Sequence, residues 1–218
     1  MGGNEEEFKK HIIRGICNGV NHLHQNKVIH RDINPSNILL KNEGRVYPSV
    51  KIADFNVYTI HDGKECELTH TLDIGQPHYR AKEVRESISK RAGGKERAKY
   101  GCSVDVWSIG TIVYEMSTGQ VFNQLTDREI WANNFFSIEQ KIGNEIKGDH
   151  TLTDFLFKIL WWDASRRARC SDLLTHRYLA QGSMTAQDCK LGHTTLLGAI
   201  KEEKPEDLTS GGLDVSQV

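Results

Sequence analysis

Apolar residues recur at helical spacing along much of this chain. Between residues 5 and 25 they fall close to a 3.6-residue period, which predicts an amphipathic helix with one buried face. Residues 103–119 are apolar on every side, which predicts a buried central helix. We expect Ser103 to cap that helix and Gly119 to end it. Shorter apolar stretches predict two further helices, over residues 152–162 and 171–180.

The chain between the first two helices follows a shorter pattern. Val28–Ile29, Ile38–Leu40 and Val50–Ala53 are short apolar stretches separated by turn-forming residues, which predicts short strands joined as hairpins. Residues 57–83 are polar and show no period, so we expect them to be irregular. The fold class predicted is mainly α (α+β), with a few short β-hairpins.

The periodic pattern fades after residue 180. Residues 181–218 contain six acidic and three basic side chains and few large apolar ones. Such a segment buries too little apolar surface to offset the entropy of ordering it. We therefore predict one domain over residues 5–180 and a flexible acidic tail over residues 181–218.

The composition favours a soluble intracellular protein. Of the 218 residues, 38% are hydrophobic and 26% charged, and the formal net charge is -1. This charge argues against nucleic-acid binding driven by overall charge, and no apolar stretch is long enough to span a bilayer. Five dispersed cysteines suit a reducing compartment. We expect a cytoplasmic or nuclear protein, with no membrane or nucleic-acid partner.

Polar residues in a fixed order supply the candidate chemistry. The sequence HRDINPSN sets Asp32 five residues before Asn37, and Asp54 follows the third predicted strand in KIADFN. Three more motifs come later in the chain: GQPHYRAKE at 75–83, DVWSIG at 105–110 and WDASRR at 162–167. This order resembles the large C-terminal lobe of eukaryotic protein kinases. Within that superfamily, Pro35 favours the serine/threonine type.

The resemblance implies transfer of the ATP γ-phosphate to protein hydroxyl groups, with ATP and Mg²⁺ as cofactors. Asp32 would accept or orient the proton of the substrate hydroxyl, and Asn37 and Asp54 would bind ATP-associated Mg²⁺ through oxygen atoms. Arg31 would bind a phosphate group on the activation loop. The candidate phosphate acceptors in this loop are Thr59, Thr69 and Thr71. The implied partners are a protein substrate or a partner kinase.

The resemblance also implies scaffold roles. His30 begins the catalytic motif and is expected to support it. Glu83 corresponds to the glutamate that ends the activation segment, and Arg167 corresponds to its distant arginine partner. Asp105 would tie the start of the central helix to the backbone of the catalytic loop.

Several residues depart from the family pattern. Asn34 stands where serine/threonine kinases carry a lysine that contacts the transferring phosphate, so the positive charge is lost. Gln76 replaces the threonine that bonds to that lysine and to the catalytic aspartate, so both changes concern one network. Asn56 replaces a glycine that allows positive φ. Lys82 replaces a proline and has little expected effect on chemistry.

The kinase small lobe, with its glycine-rich loop, strand lysine and helix glutamate, is expected to be absent, because GxGxxG occurs nowhere. Three hypotheses remain open. The chain belongs to a kinase that a small lobe completes; it is a catalytically inactive, pseudokinase-like binding module; or it is a truncated fragment without function. The basic stretch 85–100 also has two interpretations, a docking patch for acidic partners and a solvated loop.

Overall fold

The computed structural model describes residues 3–61, 69–70, 75–85, 98–122, 135–180 and 201–202. Its helices are α1 Gly3–Gln25, α2 Ser103–Thr118, α3 Phe135–Glu145, α4 His150–Ile159, α5 Cys170–Leu174 and α6 Arg177–Ala180. Its strands are β1 Val28–Ile29, β2 Ile38–Lys41, β3 Ser49–Ile52, β4 Thr59–Ile60, β5 Thr69–His70, β6 Ala98–Lys99 and β7 Lys201–Glu202. Short 3₁₀ turns lie at Pro35–Asn37, Pro77–Tyr79 and Ala164–Arg166.

Helix α1 confirms the first predicted helix and packs against strand β3. Two glycines make this close approach possible. A Cβ atom on Gly15 would lie 2.5 Å from the Val50 side chain, and one on Gly19 would lie 2.7 Å from Ile52. Real Cβ atoms do not approach other atoms so closely, so a larger residue at either position would force the neighbouring side chain to shift.

Helix α2 is the buried centre of the fold, as its apolar pattern predicts. Every residue from Val104 to Tyr114 is buried. Gly119 ends the helix at a φ of 70°, and its N–H donates to the Glu115 carbonyl at 2.8 Å. The expected Ser103 cap is wrong: Cys102 is the N-cap and makes no side-chain capping bond. Backbone carbonyls of the preceding turn accept the first helical N–H groups instead.

The strands form small sheets around the polar loop. Strand β2 pairs antiparallel with β3, placing Ile38 opposite Ile52, and parallel with β7. Strand β1 pairs antiparallel with β4, and β5 with β6. The prediction of irregular structure across residues 57–83 missed β4 and β5, because a strand of two residues is too short to show a period.

The predicted helices after residue 150 are present with different ends. Helix α4 ends at Ile159, before the two tryptophans. The Trp161 carbonyl instead accepts a hydrogen bond from Arg167 Nε at 2.9 Å. The helix predicted over residues 171–180 is divided into α5 and α6 at Thr175 and His176. At this break Thr175 Oγ1 donates to the Asp172 carbonyl and the His176 ring bonds to Asp154.

The structure is helix-rich with few short strands, and the fold-class prediction is confirmed. Apart from Lys201–Glu202, the predicted tail lies outside the described residues, as does most of stretch 85–100. No helix in the described part of the chain combines the length and apolar character needed to cross a membrane.

Candidate active site

The loop between β1 and β2 carries the HRDINPSN motif, and Asp105 of helix α2 holds its first residues in place. The Asp105 carboxylate accepts the backbone N–H of His30 at 2.9 Å and that of Arg31 at 2.8 Å. Arg31 has a φ of 70°, in the left-handed region that a residue with a side chain rarely adopts. The two bonds to Asp105 therefore support a strained backbone next to Asp32, as the sequence predicts for Asp105.

Asp105 is itself fixed by a partner that sequence reasoning missed. His24, at the end of α1, bonds through Nε2 to Asp105 Oδ2 at 2.9 Å. Burial is the largest influence on the pKa of this carboxyl group and raises it. The hydrogen bond and charge of His24, with contributions from His30 and Arg31, outweigh burial and bring the pKa below its ordinary value.

His30 is fully buried and links the loop to the segment that carries Asp54. Its Nε2 bonds to the Ala53 carbonyl at 3.1 Å, and its Nδ1 accepts the Asp32 N–H at 3.3 Å. Its ring meets Phe55 edge-on, with 4.9 Å between ring centroids. His30 therefore positions Asp32 and the Asp54 segment relative to each other.

Three N–H groups orient the Asp32 carboxylate. Oδ1 accepts from Asn34 Nδ2 at 2.8 Å and from the backbone N–H of Gln76 at 3.0 Å. Oδ2 accepts from Asn37 Nδ2 at 3.0 Å. An ionised carboxylate has about four acceptor positions, so the described residues leave one position on Oδ2 for a further donor.

Asn34 lies inside the loop and does not extend outward. Its side chain is fully buried; Nδ2 also donates to the Asp32 carbonyl, while Oδ1 accepts from the Ser36 N–H and hydroxyl. Gln76 Nε2 donates to Ser36 Oγ at 3.1 Å. Asn34 and Gln76 therefore belong to one network, as the sequence predicts, with Ser36 as the unpredicted link between them.

Asn37 and Asp54 carry side-chain oxygen atoms on adjoining segments. The Ala53 N–H donates to the Asn37 carbonyl at 2.9 Å, which places the two segments side by side. Because the Asn37 side-chain nitrogen faces Asp32, its amide oxygen is the atom that remains for a cation. Asp54 is exposed and has a φ of 64°. Carboxylate and amide oxygens suit Mg²⁺, so these residues fit the predicted cofactor site.

Asn56 does not adopt the positive φ that its glycine counterpart would allow. The described non-glycine residues with positive φ are Lys27, Arg31 and Asp54. The Asn56 N–H donates to Asp54 Oδ1 at 3.3 Å. No described group of three His, Cys, Asp or Glu side chains is arranged to hold a metal ion.

The Arg31 side chain turns towards residues 57 and 58, at the start of the segment that ends at Glu83. Its Nε donates to the Val57 carbonyl at 2.5 Å and Nη2 donates to the Tyr58 carbonyl at 3.2 Å. It lines a pocket together with Arg80, Ala81, Val84, Tyr100, Val104 and Ser108. Of the candidate phosphate acceptors, Thr59 lies in β4, Thr69 lies in β5 without a described side chain, and Thr71 lies outside the described residues.

Glu83 and Arg167 form the ion pair that the sequence predicts. Arg167 Nη1 lies 2.6 Å from Glu83 Oε1, and Nη2 lies 2.8 Å from Oε2. The Arg167 side chain is fully buried, and Nη1 also donates to the Ser103 carbonyl at 3.0 Å. The guanidinium group lies over the Trp107 ring, 4.8 Å from its centroid. This pair joins the activation segment to α2.

The order of motifs and this geometry agree with a sequence comparison. The family described as the protein kinase domain matches residues 2–179. The chain belongs to the protein kinase family. The described part of the kinase chain is the helix-rich large lobe of that fold. Asp32 and Asn37 lie between β1 and β2, and Asp54 follows β3 on the segment that bonds to Asn37.

Relatives of this kinase chain include serine/threonine kinases from several kingdoms. Mitogen-activated protein kinase kinase kinase 1a of Physcomitrium patens is 32% identical over 203 residues, covering 89% of this chain and 23% of that protein. Serine/threonine-protein kinase ste20 of Aspergillus fumigatus is 33% identical over 174 residues, covering 78% and 19%. Serine/threonine-protein kinase PAK 4 of Homo sapiens is 32% identical over 187 residues, covering 84% and 28%. The kinase chain thus spans less than a third of each relative's length.

We expect the contribution of Asp105 to stability to depend on pH. Because its pKa is lowered in the folded state, its stabilisation is present above the ordinary aspartate pKa and is lost as the pH falls below it. Replacing Asp105 by Asn should lower the free energy of unfolding by about 2–3 kcal/mol at neutral pH. Urea unfolding should show that this difference shrinks in acid, and a constant difference would contradict the assignment.

Proposed function

We propose that this chain supplies the hydroxyl-binding and Mg²⁺-binding half of a serine/threonine kinase active site and that phosphoryl transfer at this site is slow. The observation that carries the proposal is the Asp32 carboxylate, oriented by three N–H donors with one acceptor position left on Oδ2. The reaction would move the ATP γ-phosphate to a protein hydroxyl, with a small lobe contributing the remaining nucleotide contacts.

In this mechanism Asp32 acts on the substrate hydroxyl. The hydroxyl donates to the remaining position on Oδ2, which aims its oxygen for in-line attack and prepares its proton for transfer to Asp32. Orientation matters most in phosphoryl transfer, since the protein mainly positions reactants and offsets charge. Bonds from Asn37 and Gln76 keep the carboxylate from rotating while the hydroxyl is bound.

Asn37 and Asp54 would hold Mg²⁺ in this mechanism. When bound, the cation would offset the negative charge of the phosphate groups. The protein's part is to keep the two ligand segments in register, through the Ala53 N–H bond to the Asn37 carbonyl and the His30 bond to the Ala53 carbonyl.

Slow transfer follows from the position of Asn34. Both ends of its side chain are occupied within the loop, so it can neither reach nor neutralise a transferring phosphate. Loss of one preorganised donor from a charged transition state costs about 10²–10³ in rate. The same observation supports the second candidate function, a pseudokinase-like binding module in which the loop keeps its shape without catalysis.

Regulation by phosphorylation is also part of the proposal. Arg31 and Arg80 line one pocket, and two guanidinium groups suit a phosphate group. The proposed ligand of this pocket is a phosphate group on Thr59, Thr69 or Thr71, bound first by the Arg31 guanidinium.

The function is tested by phosphate transfer to a serine-containing protein substrate. We expect slow, Mg²⁺-dependent transfer from saturating ATP that Asp32→Asn lowers to background, because Asn cannot accept the hydroxyl proton. Transfer is measured with γ-labelled ATP, and circular dichroism confirms that the variant is folded. Complete absence of transfer by the unchanged chain would instead favour the binding module.

A further inference from the structure

Positive charge is concentrated in the segment that begins beside Asp32. Residues 75–100 contain eight Lys and Arg side chains against three Glu, a net charge of +5, in a chain whose net charge is -1. The structure describes the side chains of residues 75–85, which include Arg80, Lys82 and Arg85. We call these three side chains the basic strip.

The described contacts place this strip close to the proposed hydroxyl site. The backbone N–H of Gln76 contacts Asp32, and Arg80 Nε donates to the Gly75 carbonyl at 2.8 Å. The Arg85 guanidinium donates to the Pro77 carbonyl. Two cations of the strip are therefore tied to the backbone of residues 75–77, and Gln76 in that stretch contacts Asp32.

Lys82 is held by a different contact. Its ammonium group lies 4.0 Å from the centroid of the Trp162 ring, which fixes its position without removing its charge. Glu83 is the one acidic residue within 75–85, and its charge is matched by Arg167. By sequence, residues 75–85 thus carry three basic side chains against one acidic side chain.

We propose that the basic strip selects protein substrates with acidic residues within a few positions of the serine or threonine that accepts phosphate. This inference rests on the proposed function for the identity of the substrate, but docking itself does not require transfer. A short acidic peptide meets the strip alone. A long polyanion such as duplex DNA would also meet the rest of a chain whose net charge is negative.

The test measures peptide binding by fluorescence anisotropy, without ATP. Labelled peptides of about 12 residues carry a central serine with Glu before it, after it or on both sides; matched peptides carry Gln or Lys. We expect the best acidic peptide to bind at least about tenfold more tightly than the Gln peptide, and less tightly as salt is raised. An acidic peptide with Ala in place of Ser should bind equally well, because docking precedes chemistry.

Charge reversal assigns the binding to the strip. The variant Lys82→Glu/Arg85→Glu should weaken acidic-peptide binding at least about fivefold, while Lys82→Arg/Arg85→Lys should retain it. Lys147→Glu, an exposed charge reversal in another part of the chain, is the matched control and should change binding little. Melting temperatures confirm that each variant is folded.

Several results would overturn the inference. They are equal affinity for acidic and Gln peptides, equal weakening by Lys147→Glu, and tighter binding of a DNA duplex or of phosphatidylserine vesicles than of the peptide. Acidic-peptide binding without any phosphate transfer would leave the docking surface intact and reject only the proposed catalysis. Phosphate transfer without a preference for acidic peptides would leave the proposed catalysis intact and reject only the docking surface.

Discussion

Replacing Glu83 by Ala is expected to lower the free energy of unfolding by about 3–5 kcal/mol. The change leaves the Arg167 guanidinium, whose side chain is fully buried, without the carboxylate that binds both of its terminal nitrogens. A buried charge cannot regain its hydration, so the stability lost by removing one partner exceeds the net stability that the ion pair contributes. Urea unfolding followed by tryptophan fluorescence measures the difference, since Trp107 lies against this guanidinium.

Two further variants make the interpretation specific. Glu5→Ala removes an exposed carboxylate that lies 3.5 Å from Lys9 Nζ on the surface of α1, and should cost less than about 1 kcal/mol. Glu83→Ala/Arg167→Met removes both charges and should recover part of the stability lost by Glu83→Ala, since no unpaired buried charge remains at this site. Equal losses for Glu83→Ala and Glu5→Ala would show that the buried pair does not hold the segment that ends at Glu83.

Replacing Asn34 by Lys is expected to raise the rate of phosphate transfer at least about tenfold, as part of the 10²–10³ that one preorganised donor provides. A lysine cannot cap the Ser36 N–H as Asn34 does, so its side chain leaves the loop interior and brings a positive charge towards the phosphate. Asp32 keeps two of its three donors, from Asn37 and Gln76. Initial rates at saturating Mg²⁺ and ATP measure the gain.

Asn34→Met is the matched control for this gain. Methionine has nearly the length of lysine but no charge, and it also gives up the bonds to Asp32 and Ser36. We expect it to transfer phosphate no faster than the unchanged chain. A gain of the same size with methionine would mean that freeing the loop, rather than adding charge, limits the rate.

The sequence predicts the helices in which buried apolar residues recur at every turn. Helices α1 and α2 follow from apolar periodicity because burial acts on every turn, and the Gly119 end follows because the left-handed φ there favours glycine. The positions of Asp32, Asn37 and Asp54 follow from motif order. These features depend on residues that are close together in the sequence.

Contacts between distant residues that the family motifs do not include could not be predicted in the same way. His24 and Asp105 are 81 positions apart, and Gln76 and Ser36 are 40 apart, so no local pattern links them. Sequence reasoning noted that Asn34 lacks a charge but could not show that it is buried. The orientation of its amide depends on Ser36, a residue with no distinctive spacing.

The most direct test of the central claim compares phosphate transfer by four chains: unchanged, Asn34→Lys, Asp32→Asn and the double variant. The claim is that Asn34 limits a site organised around Asp32. It predicts slow transfer by the unchanged chain, at least about tenfold faster transfer by Asn34→Lys, and background transfer by both chains that lack Asp32. A gain that survives Asp32→Asn, or no transfer by any of the four chains, would contradict it.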